Sequence, residues 1–136
     1  MNLRWVCPEC SGDTITLSRG IELPPDLESD EILLRPISCS ACGFKGAAFI
    51  EESRRGSMDT DECSRHVGYP LTELVFSLLQ EAIAACPDAM NPSCECPSHR
   101  ELAGGHHGDS RHWLKRNGID TTRQFYLRKA IPARTG

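Results

Sequence analysis

The sequence predicts an α+β fold: a small antiparallel sheet closed around four cysteines, then a helix-centred region that ends in a basic stretch. Three observations predict it. Two C-x-x-C pairs, Cys7-Pro8-Glu9-Cys10 and Cys39-Ser40-Ala41-Cys42, flank an insert long enough for strands. Around them short runs such as Thr14-Ile15-Thr16-Leu17 alternate polar and apolar side chains, the period of a half-buried strand. Further on, Leu71, Leu74, Val75, Leu78, Leu79, Ala82 and Ile83 recur at the three-and-four spacing of one buried helical face. The expected layout is a four-cysteine sheet over residues 1–53, a linker over 54–69, and a helical region over 70–136.

The two cysteine pairs carry the strongest chemical signal. A ligand pair two residues apart closes a tight turn in which both sulfurs face one point, so two such turns can enclose one tetrahedral zinc ion. Cys7, Cys10, Cys39 and Cys42 are the predicted ligands. Gly43 follows the second pair where such a turn needs a positive φ; Ser11 stands at the equivalent place after the first. A disulfide framework is the competing use of eight cysteines, but no signal-peptide-like run precedes them, and reduced thiols in a cytoplasmic setting favour metal ligation. These two knuckles, Cys7-Pro8-Glu9-Cys10 and Cys39-Ser40-Ala41-Cys42-Gly43, resemble those of the zinc ribbons, over roughly residues 4–53. The resemblance implies knuckles at the tips of antiparallel hairpins. It also implies work in transcription, translation or nucleic-acid processing, or a purely structural part in a protein assembly.

In chain order, residues 4–7 read as a strand entering the first knuckle and 14–17 as a second. Residues 22–31, with two prolines and at least five acids, read as an exposed loop. Ile32 to Ser38 and Phe44 to Glu52 form the hairpin on either side of the second knuckle. Residues 53–62 show no apolar period and begin the linker. Pro70 suits a first helical position, and Cys86-Pro87 ends the helix because proline disfavours helical geometry in the residue before it.

After the helix come Cys86, Cys94, Cys96 and His99, three cysteines and a histidine in a proline-rich loop. Such a loop buries too little to order itself, whereas structural zinc supplies about 10–16 kcal/mol as folding energy in small peptides. A second zinc site there is expected, with Cys63 and His66 as alternative ligands. His106 and His107, between glycines, read as exposed loop residues. Asp109-Ser110 can cap a short helix from Arg111 to Arg116, ended by Asn117-Gly118. Trp113 on it reads as a packing anchor. Residues 122–131 alternate Phe125, Leu127 and Ile131 as a final strand, a helix capped by Asp120 or Thr121 being the alternative.

Charge separates the function classes. The chain has 136 residues and a net charge of −4, so a protein coating nucleic acid over its whole surface is excluded. Yet residues 111–136 hold seven Lys/Arg against one Asp/Glu. Arg111, Lys115, Arg116, Arg123, Arg128 and Lys129, with Phe125 and Tyr126 interleaved, are therefore the candidate contacts to phosphates and unpaired bases or to an acidic partner. A non-enzymatic, nucleic-acid-associated module or a member of a nucleic-acid-processing complex ranks first. A zinc-stabilised adaptor in a protein complex ranks second. A zinc hydrolase using His99, His106, His107 or His112 ranks last, because no H-E-x-x-H or phosphate-binding glycine loop is present and thiolate-rich zinc sites are mostly closed. No apolar run reaches membrane-spanning length, and a cytoplasmic location is expected.

Overall fold

The structure, a computed structural model, describes residues 4–25, 31–53, 63–105 and 109–129, the side chains of Ser53, Cys63 and Ser64 excepted. At its centre two nine-residue strands, β3 (Glu31–Cys39) and β4 (Lys45–Ser53), pair antiparallel from Glu31↔Glu52 to Ser38↔Lys45. Two short strands share the outer edge of β3. β1 (Ile15–Leu17) pairs with its C-terminal half and β2 (Ile21–Leu23) with its N-terminal half.

The break between β1 and β2 has a visible cause. Ser18 donates its backbone N–H to the Pro36 carbonyl at 2.9 Å, so Pro36 turns its amide edge toward the break rather than toward β4. A strand proline lacks a donor, and here the missing N–H removes no bond from the β3–β4 ladder. Arg35 closes the gap, donating from Nε to the Ser18 carbonyl at 2.7 Å and from Nη2 to that of Leu17 at 3.3 Å.

The sheet is larger than expected. Residues 63–69, read as linker, form most of β5 (Cys63–Pro70), which pairs with β4 along its whole length. Val67 and Tyr69 point to the buried face on either side of Gly68, so the alternation is real but only two apolar residues long, with Gly68 and Pro70 disguising it. The linker residues 54–62 lie outside those described. β6 (Phe125–Tyr126) adds to the far edge of β5, giving the order β1-β3-β4-β5-β6 with β2 also on β3. The far edge of the Phe125 ring occupies the space that a Cβ on Gly68 would need, which explains the glycine. The expected strand at 4–7 reduces to single bridges from Trp5 to Ile15 and to Lys129. The expected loop at 22–31 is also corrected: β2 takes Glu22 and Leu23, with Leu23 fully buried, while 26–30 lie outside the described residues.

Among the described residues three helices cover one face. α1 (Glu73–Ala85) is capped by Thr72, whose Oγ1 accepts the Val75 N–H at 3.2 Å. Pro70 therefore ends β5 rather than opening the helix. Its buried residues are Val75, Phe76, Leu79 and Ile83, while Leu74 and Leu78, expected in the core, are 69% and 37% exposed. The sheet sits on the Val75–Ile83 side, and a helix this narrow cannot bury both arcs. α2 (Pro97–Leu102) and α3 (His112–Arg116) complete the layer. Among the described residues no helix is long and apolar enough to cross a membrane.

One core lies between sheet and helices, uniting Ile21, Leu34, Phe49, Val67 and Tyr69 with Leu79, Ile83, Leu102, Trp113 and Leu114. Each large aliphatic or aromatic side chain so buried contributes about 1.5–3 kcal/mol. This cluster joins residues from both sides of the expected domain boundary. Trp113 is the packing anchor its type suggested. A smaller cluster, Trp5, Ile15, Ile37, Ala48 and Leu127 with Cys7 and Cys39, fills the opposite face beside the knuckles.

Candidate metal centres

The first centre is built by two turns of the same construction. In each, the first cysteine carbonyl accepts an N–H four residues on, Ser11 to Cys7 and Gly43 to Cys39, both at 3.0 Å. Both acceptor turns need a left-handed residue, and the chain supplies Ser11 at φ 64° and Gly43 at φ 81°. The departure from glycine at Ser11 leaves the turn geometry intact and places a non-glycine residue in a costly conformation. Backbone N–H groups of Glu9 and Cys42 each lie 3.4 Å from a knuckle sulfur.

The four sulfurs of Cys7, Cys10, Cys39 and Cys42 converge within 4.8 Å of one another. Cys7 and Cys42 are 3.6 Å apart, Cys10 and Cys39 3.7 Å. A disulfide would need about 2.05 Å. A tetrahedron with zinc–sulfur bonds of about 2.3 Å has edges of about 3.8 Å, so the spacing fits a shared zinc ion. The electrostatics fit too. The Thr14 hydroxyl, 3.0 Å away, pulls the Cys39 thiol down to about 6. The Phe44 N–H favours the Cys42 thiolate, but burial and the neighbouring thiols push it up to about 12. Four thiols this close cannot all ionise unaided; a dication between them removes the conflict.

The second centre brings together Cys86, Cys94, Cys96 and His99. α1 delivers Cys86 as its C-cap, and α2 delivers the other end, with Cys96 as N-cap and Pro97 opening the helix. The Cys96 sulfur accepts the His99 N–H at 3.3 Å. Between them an Asp88–Asn91 turn presents Cys94, its Asn91 side chain bonding both Asp88 and the Ser93 N–H at 3.0 Å. Cys86 and Cys94 sulfurs are 3.7 Å apart, and Cys86 lies 3.3 Å from His99 Nδ1. The sulfur–nitrogen edge of a zinc tetrahedron is about 3.6 Å. Burial raises the Cys86 thiol to about 11. Burial works against Cys96 as well, but the N–H groups of His99 and Ser98 and the adjoining thiols outweigh it and lower its pKa.

His99 is held from behind. Its Nε2 lies 2.7 Å from the Glu22 carbonyl, an atom that can only accept, so Nε2 carries the proton and Nδ1 presents its lone pair to the cysteines. Backbone carbonyls orient zinc-binding imidazoles in this way. Glu22 is in β2, and its own N–H donates to the Ala89 carbonyl at 2.8 Å. The centre is thus stitched to the sheet through both polar groups of one residue.

Of the alternative ligands, His66 packs edge-on against Trp5 at 5.1 Å and belongs to neither cluster, while the Cys63 side chain lies outside the described residues. His106 and His107 lie outside them as well. His112 is in α3.

The expected basic surface is largely engaged. Arg111 does not project from α3. It turns inward over the Phe49 ring at 4.1 Å, with Nη2 2.7 Å from Glu51 Oε1 and Nε 3.1 Å from the Tyr69 hydroxyl. Lys115 pairs with Asp109 at 3.0 Å and Arg116 with Glu101 at 3.1 Å. Lys129 lies 5.8 Å from the Trp5 ring centroid. Arg123 lines a small cavity, and the carbonyl of Arg128, an exposed residue, accepts the Val6 N–H at 2.9 Å. Sequence reasoning missed Thr14, the Glu22 carbonyl and the Glu51–Arg111 pair. The last left no signal in the sequence, since Glu51 is followed by Glu52 and Ser53 at the polar end of its strand. Compared with known proteins, the chain matches no family model, no curated protein sequence and no solved structure.

Proposed function

We propose that this chain is a non-enzymatic protein in which two structural zinc ions hold a docking shape, and that it serves as an adaptor within a protein complex. The supporting observation is that each cluster offers four protein ligands at tetrahedral spacing, which leaves no position for a substrate or an activated water. The adaptor reading moves ahead of the nucleic-acid reading because Arg111, Lys115 and Arg116 each face a carboxylate. A cation already paired within the chain releases few counterions on meeting a phosphate.

The nucleic-acid reading keeps one observation in its favour. Tyr126 is 64% exposed, beside Arg123, Arg128 and Lys129 in the most basic part of the chain. Affinity capture of the tagged protein with and without nuclease separates the two. A discrete set of proteins that survives nuclease supports the adaptor. Material lost on nuclease treatment, with affinity falling steeply as salt rises, supports the second reading.

A further inference from the structure

The exposed side of α1 has a composition that its buried side does not explain. Leu74 is 69% and Leu78 37% exposed, one helical turn apart. Single exposed leucines are ordinary, whereas clustered ones mark interaction surfaces. At the N-terminal end of the helix, Pro70, Leu71 and the N-cap Thr72 line a cavity of about 250 Å³ with Ile119, Asp120 and Arg123. Ridge and cavity together offer a surface for an apolar side chain to enter beside a helix laid along α1.

The charge around the ridge selects the occupant. Glu73 and Glu81 are exposed on α1, and residues 66–99 contain no lysine or arginine; the cations brought near from elsewhere are Lys45, whose Nζ lies 5.2 Å from the Phe76 ring centroid, and Arg123 in the cavity. A second copy of the chain laid on this ridge would set these glutamates against their own counterparts, in either direction, with no cation on the helix to relieve them. Like charges facing one another across an interface disfavour it. A helix with aliphatic residues at i, i+3 or i+4 and i+7, and Lys or Arg along its flanks, meets both the leucines and the acids.

Resting on the adaptor reading above, we propose that the Leu74–Leu78 ridge and the adjoining cavity form the docking site for a basic-flanked amphipathic helix of a partner protein. The probes are two synthetic helical peptides with the same leucine ridge, one flanked by lysines and one by glutamates, titrated into the full zinc-loaded chain and followed by amide chemical shifts. The lysine peptide is expected to saturate, with shifts centred on α1, Leu71 and Ile119. Affinity should fall about tenfold or more for the glutamate peptide and for the Leu74→Ser/Leu78→Ser variant. Both leucines are exposed, so that variant keeps its fold, and unchanged zinc content and melting temperature check this. Equal binding by the two peptides or by the variant, or no binding at millimolar peptide, overturns the proposal, as does a concentration-dependent dimer abolished by the variant. Capture separates this inference from its premise. If wild type and variant retain the same nuclease-resistant proteins, the ridge is wrong and the adaptor stands. If wild type retains only nucleic acid, both fall.

Discussion

Replacing Arg111 by alanine tests whether this cation belongs to the core or to a binding surface. Its side chain is 18% exposed and that of Glu51 5%, with 2.7 Å between them. Removing one member of a buried ion pair costs about 3–5 kcal/mol, because the remaining charge keeps its desolvation penalty and loses its partner. Glu51 retains a further interaction, which places the expected loss near about 3 kcal/mol. The guanidinium also covers the Phe49 face at 4.1 Å, and a desolvated cation–π contact adds about 1–2 kcal/mol. At roughly 3–4 °C per kcal/mol for a chain of this size, the melting temperature should fall by at least about 10 °C. Scanning calorimetry at fixed, saturating zinc is the assay, since bound metal shifts apparent stability by mass action. Lys115→Ala breaks an exposed pair and is the control, expected within about 0.5 kcal/mol of wild type. The double change Glu51→Leu/Arg111→Met, which replaces the pair by apolar groups, should recover most of the loss. An Arg111→Ala protein within about 1 kcal/mol of wild type would refute the buried-pair argument and return Arg111 to the surface.

Four further outcomes are expected. Native mass spectrometry should find two zinc ions per chain in wild type and one in His99→Ala, with faster amide exchange at Glu22; two ions retained in the variant would contradict the ligand assignment. Ser11→Gly should raise stability by about 0.5–1 kcal/mol by relieving the left-handed conformation, and a lower melting temperature would show that the turn carries no strain. Gly68→Ala should cost about 1–3 kcal/mol by displacing Phe125, and unchanged protection of β6 amides would count against that packing. Burial, followed by the charge of Lys129, holds the His66 pKa below its ordinary value. Protonation therefore favours the unfolded chain, so this contribution is complete above about pH 6.5 and is lost as pH falls below it. His66→Gln should show a smaller loss than wild type between pH 7 and 5, and parallel profiles would exclude His66 as the source.

What the sequence determined by itself is what short-range covalent geometry dictates. Two cysteines separated by two residues face one point once the chain between them closes a tight turn, so both halves of the first cluster were legible, down to the left-handed position that Ser11 shares with Gly43. The same locality made Cys86, Cys94, Cys96 and His99 legible as one group, since one loop and a single helical turn carry them. The β3–β4 hairpin and the existence of α1 followed from their apolar periods. Tertiary structure decided the rest, because packing is set by partners distant in sequence. Periodicity shows that α1 has apolar arcs but not which of them the sheet will meet, so Leu74 and Leu78 came out exposed and Phe76 buried. β5 has too few apolar residues to declare itself and exists because β4 offers it eight residues of hydrogen bonding. The orientation of His99 rests on a backbone carbonyl 77 residues away, which any side chain at position 22 would have supplied equally well. Arg111 read as a surface cation because charge alone places it there; the approach of Glu51, 60 residues earlier, together with the Tyr69 hydroxyl and the Phe49 ring, offsets the cost of its burial.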